Sequence, residues 1–436
     1  MTNSRRSYRP HRHRTATSPG RVSLLVTALC WAMVVIEGYD LIAFSTVVPI
    51  LLRDPNSGYG TGEIGMVAAA VFVGTMIGAL ASGPLADRFG RRPIAIGSVV
   101  TFTLFGALCG VAAGPVSLGL LRLLTGIGIG ALVPAASALT MEFATTRHRT
   151  LAYTVMLSGV PLGGVGAALT GLVVLPTLGW RWMFFLSLVP GLFLIPVLLR
   201  WLPESHIFTR GAIRKEGSDY LVADDSVNDE IAPESALRER GGIFAPRFRA
   251  FSLLFASATF CGMFVWFGLA TWLPGIMSEA GYELGSSLLF LLTLNLGAVV
   301  GSLFIAAATD RWGNRPVVVC TYFGLTLALF GLSMQLPQPL LSIAIVCAGI
   351  GGHGGQILIN AFVGASYPDT MRARALGWSL GAGRLGTIVG PLIIGSVVGG
   401  SDPLIGFIIF AALSAGAAAI LAVIRPRSPR YHGAAT

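Results

Sequence analysis

The sequence predicts an all-α membrane protein of twelve transmembrane helices, set as two pseudo-symmetric six-helix bundles around a central cavity. Three observations carry that expectation: an apolar, charge-poor composition, twelve long apolar segments, and an internal repeat. Of the 436 residues, 54% are hydrophobic and only 11% charged, whereas roughly a quarter of an ordinary soluble chain is charged. Glycine occurs 56 times, in keeping with its higher frequency in membrane helices than in soluble ones.

A helix needs about 20 apolar residues to cross roughly 30 Å of hydrocarbon. Segments of that kind fall at 24–52, 63–86, 94–113, 116–140, 151–175 and 181–202, and then at 251–277, 286–309, 316–336, 339–365, 375–398 and 403–424. The intervening stretch 203–249 is rich in acids, including Asp224, Asp225, Asp229 and Glu230. Mixed charge and low apolar content mark it as a linker. The chain thus divides into an Arg-rich tail (1–23), an N-terminal bundle (24–202), a linker (203–249), a C-terminal bundle (250–425) and a short tail (426–436).

Charge sets the orientation. The net charge of +10 would suggest nucleic acid in a soluble protein. Of the 30 basic residues, however, all but Arg53, Arg181, Arg122 and Arg384 fall in one alternating set of loops, tails and span ends. Loops rich in Arg and Lys stay cytoplasmic, so both termini are expected inside an inner membrane. The arginines from Arg5 to Arg21 read as a cytosolic anchor, not as a targeting peptide or a nucleic-acid arm. The five cysteines (Cys30, Cys109, Cys261, Cys320, Cys347) lie in apolar stretches without metal-ligand spacing and read as buried small hydrophobes. No metal or cofactor is expected, and the bilayer is the expected surrounding of a monomer.

The halves repeat at an offset of 223 residues. Gly74, Gly78, Asp87, Arg88, Gly90, Arg92 and Pro93 correspond to Gly297, Gly301, Asp310, Arg311, Gly313, Arg315 and Pro316, and Gly126 and Gly128 to Gly349 and Gly351. With two more residues inserted, Thr145, Arg147 and Arg149 fall on Thr370, Arg372 and Arg374. Two like bundles can enclose a cavity and rock about it.

Between the second and third spans the chain reads from Gly83 through Asp87, Arg88, Gly90, Arg91 and Arg92 to Pro93. Gly90 permits a tight turn, and Asp87 can cap a helix or pair with an arginine. This order, repeated as Asp310, Arg311, Gly313 and Arg315, resembles the loop signature of the major facilitator superfamily, and the resemblance covers nearly the whole chain. It implies a charge latch between the halves, made and broken during transport; Asn314 in place of Arg91 implies a weaker second copy. A finer resemblance is to the aromatic acid/proton symporters of that superfamily. It rests on Glu37-Gly38-Tyr39-Asp40, on Leu202-Pro203-Glu204-Ser205, and on Trp272-Leu273-Pro274. It also rests on Gln356, Asn360, Tyr367 and Pro368, and on the run from Gly377-Trp378 through Gly381, Gly383, Arg384 and Gly386 to Gly390-Pro391. Glu37 departs from that subfamily's pattern, which has Asp at this position.

An ionisable side chain at the centre of a span costs roughly 2.5–3.5 kcal/mol on insertion scales. Five such residues arise: Glu37, Asp40, Arg122, His353 and Arg384. Glu37 and Asp40 are three apart and share a helix face. Two neighbouring carboxylates in a region of low polarity suit the binding and release of protons. Asp40 and Arg122 are expected to pair, either as a static lock or as a proton-sensitive link; the resemblance implies proton coupling for Arg122. Arg384 has no acid near it on its own span, so an acid from another span, neighbouring backbone carbonyls or an incoming anion must satisfy it. The resemblance implies the anion. His353 lies among glycines and suits either a cavity wall or a structural bond. Gln356 and Asn360 extend its polar stripe, and Tyr39, between the two carboxylates, is the aromatic expected against a flat ring.

The resulting expectation is proton-coupled uptake of a small aromatic carboxylate, hydroxybenzoate-like, by alternating access. Cargo contacts would come from Arg384, Tyr39, Gln356, Asn360 and His353, and coupling from Asp40, Glu37 and Arg122. Rival expectations keep the fold and change the cargo to an aliphatic organic anion, a sugar or an expelled drug. A membrane sensor is disfavoured by the short linker, and an enzyme by the lack of a nucleophile, metal cluster or phosphate loop near the central charges.

Overall fold

The computed structural model describes residues 19–55, 57–145, 148–205, 208–209, 242–334, 336–400 and 402–424. Most of both expected tails and of the 203–249 linker lies outside these residues. The described chain contains twelve helices long and apolar enough to cross a membrane. In the first half they are α1 (Gly20–Arg53), α2 (Thr61–Phe89), α3 (Arg91–Val111), α4 (Pro115–Phe143), α5 (Leu151–Thr177) and α6 (Arg181–Trp201). In the second they are α7 (Arg249–Glu279), α8 (Leu284–Ser302), α9 (Asn314–Leu332), α10 (Gln338–Ser366), α11 (Thr370–Val398) and α12 (Ile405–Val423). With twelve spans, the start of α1 and the end of α12 share one face, called here the terminal face.

Glycine sets how the helices approach. A Cβ on Gly126 would sit 2.0 Å from the Val71 carbonyl oxygen, and one on Gly78 2.0 Å from that of Ile127. Only a missing side chain lets α2 and α4 lie this close, the small-residue packing expected where lipid supplies no hydrophobic drive between helices. The second half repeats the device at the same offset, with Gly349 against Leu294 and Gly301 against Ile350. The turns repeat too. Gly90 and Gly313 have φ of 97° and 82°, values costly for a residue with a Cβ. Arg92 donates to the Leu199 carbonyl, as Arg315 does to that of Ala422.

The repeat breaks in α10. Its two α-helical stretches, Gln338–Gly349 and Gly355–Ser366, flank a π-helical turn at Ile350–Gly354. His353 stands there at the position equivalent to Gly130, whose Cβ would lie 2.0 Å from the Thr75 carbonyl. An imidazole has no room in such an approach, and a widened turn inserts a residue and re-aims the side chain. This turn falls in the interval where the offset between halves grows by two residues.

One expectation is corrected here. Cys30 and Cys109 are buried, but Cys320 and Cys347 are exposed. An apolar residue on a membrane helix is as well satisfied by lipid as by a core, so residue type alone could not place them.

Contacts between the halves run from mid-depth to the face opposite the termini. Gly65 of α2 meets the Pro391 carbonyl and Gly395 of α11, and Gly399 meets Thr61. Ser45 of α1 donates to the Ala270 and Thr271 carbonyls of α7, at 2.6 and 2.9 Å, and Arg53 reaches the Tyr282 carbonyl at 3.3 Å. On the terminal face, Asp87 of α2 and Arg374 of α11 are exposed. These close contacts between the halves therefore lie towards the opposite side.

Candidate functional site

At mid-depth the boundary between the halves carries charge. Glu37 is buried on α1, with 4% exposure. Arg384 of α11 and Asp40 both lie within electrostatic reach of it. The guanidinium does not clasp that carboxylate. Its Nη1 donates instead to the Thr75 hydroxyl of α2 at 3.2 Å, a bond between the two halves. One turn before Thr75, the ring of Phe72 meets that of Phe267 edge to face, centroids 5.0 Å apart, and Phe267 and Ile388 pack against the N-terminal core. The site therefore sets a cation held by one side-chain hydrogen bond within electrostatic reach of a carboxylate from the other bundle, with the Phe72–Phe267 pair one turn along α2 from Thr75.

Asp40 sits one turn from Glu37 but faces elsewhere. Its Oδ1 lies against Gly106 of α3, where a Cβ would be 2.7 Å away. The expected side-chain pair with Arg122 is corrected: Nη1 of Arg122 donates to the main-chain oxygen of Asp40 at 2.9 Å. The guanidinium also lies 5.1 Å from the Phe44 ring centroid. Gly106 leaves room for the carboxylate to turn towards α3, so Arg122 acts on it through space and through the backbone. Both side chains are buried within the N-terminal half.

A second polar group occupies the C-terminal half. The His353 ring tilts against Trp266 with centroids 5.3 Å apart, and Gln356 donates from Nε2 to Asn360 Oδ1 at 3.2 Å. Sequence reasoning missed Tyr322 of α9. Its hydroxyl and Gln356 Oε1 converge on Gly262 of α7, whose absent Cβ would be 2.2 and 3.0 Å from them. Tyr322 OH, Gln356 Oε1 and His353 Nε2 have no protein partner. The available signal was a tyrosine midway along an apolar helix, where a polar tip needs a reason.

Tyr39 is also corrected. Its hydroxyl donates to the Met183 carbonyl of α6 at 3.3 Å and its ring lies beside Gly166 of α5, so it packs within the N-terminal half. At 3.6 residues per turn it lies about 200° around the helix from Glu37, and sequence adjacency to both carboxylates does not bring it to their face.

The expected latch takes a different form. Gly83, Asp87 and Arg88 are exposed, and the Arg88 guanidinium lies 5.1 Å from the Phe89 ring centroid. Arg91 pairs with Glu142 at 2.7 Å, and the backbone N–H groups of Arg91 and Arg92 donate to Glu204 Oε1 at 2.9 and 3.1 Å. These ties do not bridge the two bundles. Arg311 lies over its neighbour Trp312, and Arg315 holds α12; the Asp310 side chain lies outside the described residues. Glu142 and Glu204 were not foreseen as partners because they are distant in sequence. Among the described residues no cluster of three or more His, Cys, Asp or Glu is placed to hold a metal.

Twelve spanning helices in two glycine-interlocked halves, with buried charge where the halves meet, define a multi-pass membrane transporter. The comparisons with known proteins agree. A model of the Major Facilitator Superfamily matches residues 30–297 and 286–436, and the chain belongs to that family. It is 37% identical over 377 residues to a gentisate transporter of Corynebacterium glutamicum, covering 85% of this chain and 80% of that one. It is 31% identical to a benzoate transport protein of Acinetobacter baylyi, covering 85% and 82%. A 4-hydroxybenzoate transporter of the same organism is 30% identical, covering 92% and 91%. A crystal structure of a D-xylose-proton symporter superposes with a TM-score of 0.73 over 91% of this chain and 97% of that one, at 17% identity, a likeness of fold. The relatives are transporters, and this chain is a transporter and not an enzyme.

Proposed function

We propose that the chain takes up a small aromatic carboxylate together with protons, by alternating access across the cell's inner membrane with both termini in the cytoplasm. The observation that carries the reading is Arg384, a fixed cation at the boundary of the halves whose present ties are a neutral threonine and a carboxylate that is not in contact. A planar guanidinium offers a carboxylate two parallel hydrogen bonds. An incoming acid is a better partner than Thr75, and the apolar wall of Phe72 and Phe267 suits a ring. The gentisate, benzoate and 4-hydroxybenzoate transporters among the relatives support that cargo class.

The coupling follows from charge. Glu37 and the cargo carboxylate compete for the same guanidinium. A proton on Glu37 removes one of the two anions, so that cargo and Arg384 form a neutral pair that can be enclosed. An unpaired buried charge is what otherwise opposes closure. Asp40, one turn along α1, supplies or stores that proton. Residues 24–202 and 250–425 act as the two moving bodies of a monomer, and the loop arginines form their latch in the opposite state. His353, Gln356 and Asn360 line the C-terminal side of the cargo site.

Uptake of labelled hydroxybenzoate into membrane vesicles tests the reading. Accumulation should rise with an inward proton gradient and stop when an ionophore collapses it. Accumulation indifferent to the gradient would refute the coupling. Growth resistance to the compound without its uptake would point to efflux.

A further inference from the structure

Tyr322 of α9 is fully buried, and its hydroxyl has no protein partner. Three neighbouring helices fix its place. Ser414 of α12 donates to its main-chain oxygen at 3.1 Å. Its ring lies against Gly355 of α10, where a Cβ would come within 3.0 Å, and its hydroxyl points at Gly262 of α7, where a Cβ would collide with it. Phenylalanine would serve for packing alone, and a buried tyrosine ordinarily gives its O–H to a hydrogen-bond partner.

A second oxygen converges on the same spot. Gln356 Oε1 lies 3.0 Å from the absent Cβ of Gly262. Its amide is oriented by its other end, because Nε2 donates to Asn360 Oδ1 at 3.2 Å. Oε1 is therefore an acceptor turned towards the phenol, and it too has no protein partner. The group that suits both is an oxygen that accepts from the tyrosine and donates to the amide. A hydroxyl does both. An ether oxygen or a bare ring edge does not.

Packing sets this pair level with Arg384. Gly383, its neighbour on α11, meets Thr259 and Met263 of α7, at 2.6 and 2.7 Å from the absent Cβ. Gly262 stands one residue from Met263, so its two oxygens lie within a helical turn of the depth of Arg384. Neighbouring helices stand about 8–10 Å apart, within the combined reach of a guanidinium and a substituted benzoate. Gln356 and Asn360 are half-buried, with Tyr322 behind them.

We propose that Tyr322 and Gln356 form a hydroxyl-reading subsite of the cargo site. With the carboxylate of an aromatic acid on Arg384, a ring hydroxyl accepts a hydrogen bond from Tyr322 and donates one to Gln356 Oε1. The inference rests on the aromatic-acid reading above and deepens it, making hydroxylated rings the preferred cargo. A bare ring seated there leaves two buried polar atoms unsatisfied, and a site built for a hydroxyl rejects the analogue without one.

Equilibrium binding to the purified full-length protein tests the subsite, with benzoate, the three hydroxybenzoate isomers and their methyl ethers as probes. One hydroxybenzoate isomer should bind at least about tenfold more tightly than benzoate, and its methyl ether should lose that advantage because it cannot donate to Gln356. Tyr322→Phe, which removes only the hydroxyl, should bring the ratio of hydroxybenzoate to benzoate affinity close to one. An ether that keeps the advantage, or no advantage for any isomer, would overturn the subsite without need of a variant. So would a ratio unchanged by Tyr322→Phe, including an equal weakening of every compound, which marks a tyrosine that holds an ordered water or the packing. If no aromatic acid binds the unaltered protein, the reading beneath fails and the subsite falls with it.

Discussion

Arg384 on α11 and Thr75 on α2 are joined by a 3.2 Å hydrogen bond between the two halves of the molecule. Thr75 also donates to the Phe72 carbonyl at 2.8 Å, so it holds a fixed rotamer and presents a lone pair to the guanidinium. The pair marks the middle of the boundary and leaves the arginine's remaining donors for a stronger acceptor.

Arg384→Ala is expected to weaken hydroxybenzoate binding by one to two orders of magnitude, because a hydrogen bond to a charged group contributes about 1.5–3 kcal/mol. Arg384→Lys should recover little of it, since an ammonium keeps the charge and loses the fork. Calorimetric titration of the purified protein measures both, and full affinity in the lysine variant would rule out bidentate capture.

Asp40→Asn should leave counterflow intact and stop gradient-driven accumulation. Glu37→Gln should instead flatten the dependence of cargo affinity on pH near neutrality, because the competitor for Arg384 is then permanently neutral. Vesicle uptake and binding measured between pH 5.5 and about 8, the range that brackets neutrality, distinguish the two. Wild-type accumulation by Asp40→Asn would remove it from the coupling.

Gly126→Val should abolish stable folding, as the new side chain would drive into the Val71 backbone across the α2–α4 contact. Gly83→Ala, in the loop signature itself, should scarcely change the melting temperature, because a Cβ there meets nothing within 4 Å. Thermal melts in detergent report the contrast, and equal losses would mean that packing does not explain the glycines.

Glu204→Ala should destabilise the terminal face by about 1–3 kcal/mol, the usual cost of leaving partners of a charged hydrogen bond unsatisfied. Its Oε1 accepts the N–H groups of Arg91, Arg92 and Ser205. Arg91→Ala should cost less than about 1 kcal/mol, the range for partly exposed ion pairs, since its side chain is 26% exposed against Glu142. A larger loss for Arg91→Ala than for Glu204→Ala in melting experiments would reverse this ranking.

The helices were legible because lipid permits so few solutions. Each span must satisfy its own backbone, so apolar length marks it, and the glycine repeat exposed the relation between the halves before any coordinates. The buried charges were legible for the same reason, since each is too costly to be incidental. Tyr39 misled because adjacency along the chain is not adjacency around a helix. Tyr322 was missed because what it faces, Gly262 and Gln356, lies on other helices, and the ties of Glu142 and Glu204 to Arg91 and Arg92 because those residues are distant in sequence.

By itself, the order of residues determined twelve spans, two matching bundles and a handful of charges stranded among apolar helices. Folding in three dimensions decided how those charges are disposed: Arg384 bonded to Thr75 across the boundary within electrostatic reach of Glu37, Asp40 turned back into its own half, and His353 on a widened turn. The reason is that hydrophobicity and backbone hydrogen bonding act along a single helix, whereas the direction a charged side chain takes depends on the room a neighbouring helix leaves for it. A glycine on α3 settles that direction for Asp40, and nothing local to the charge itself does.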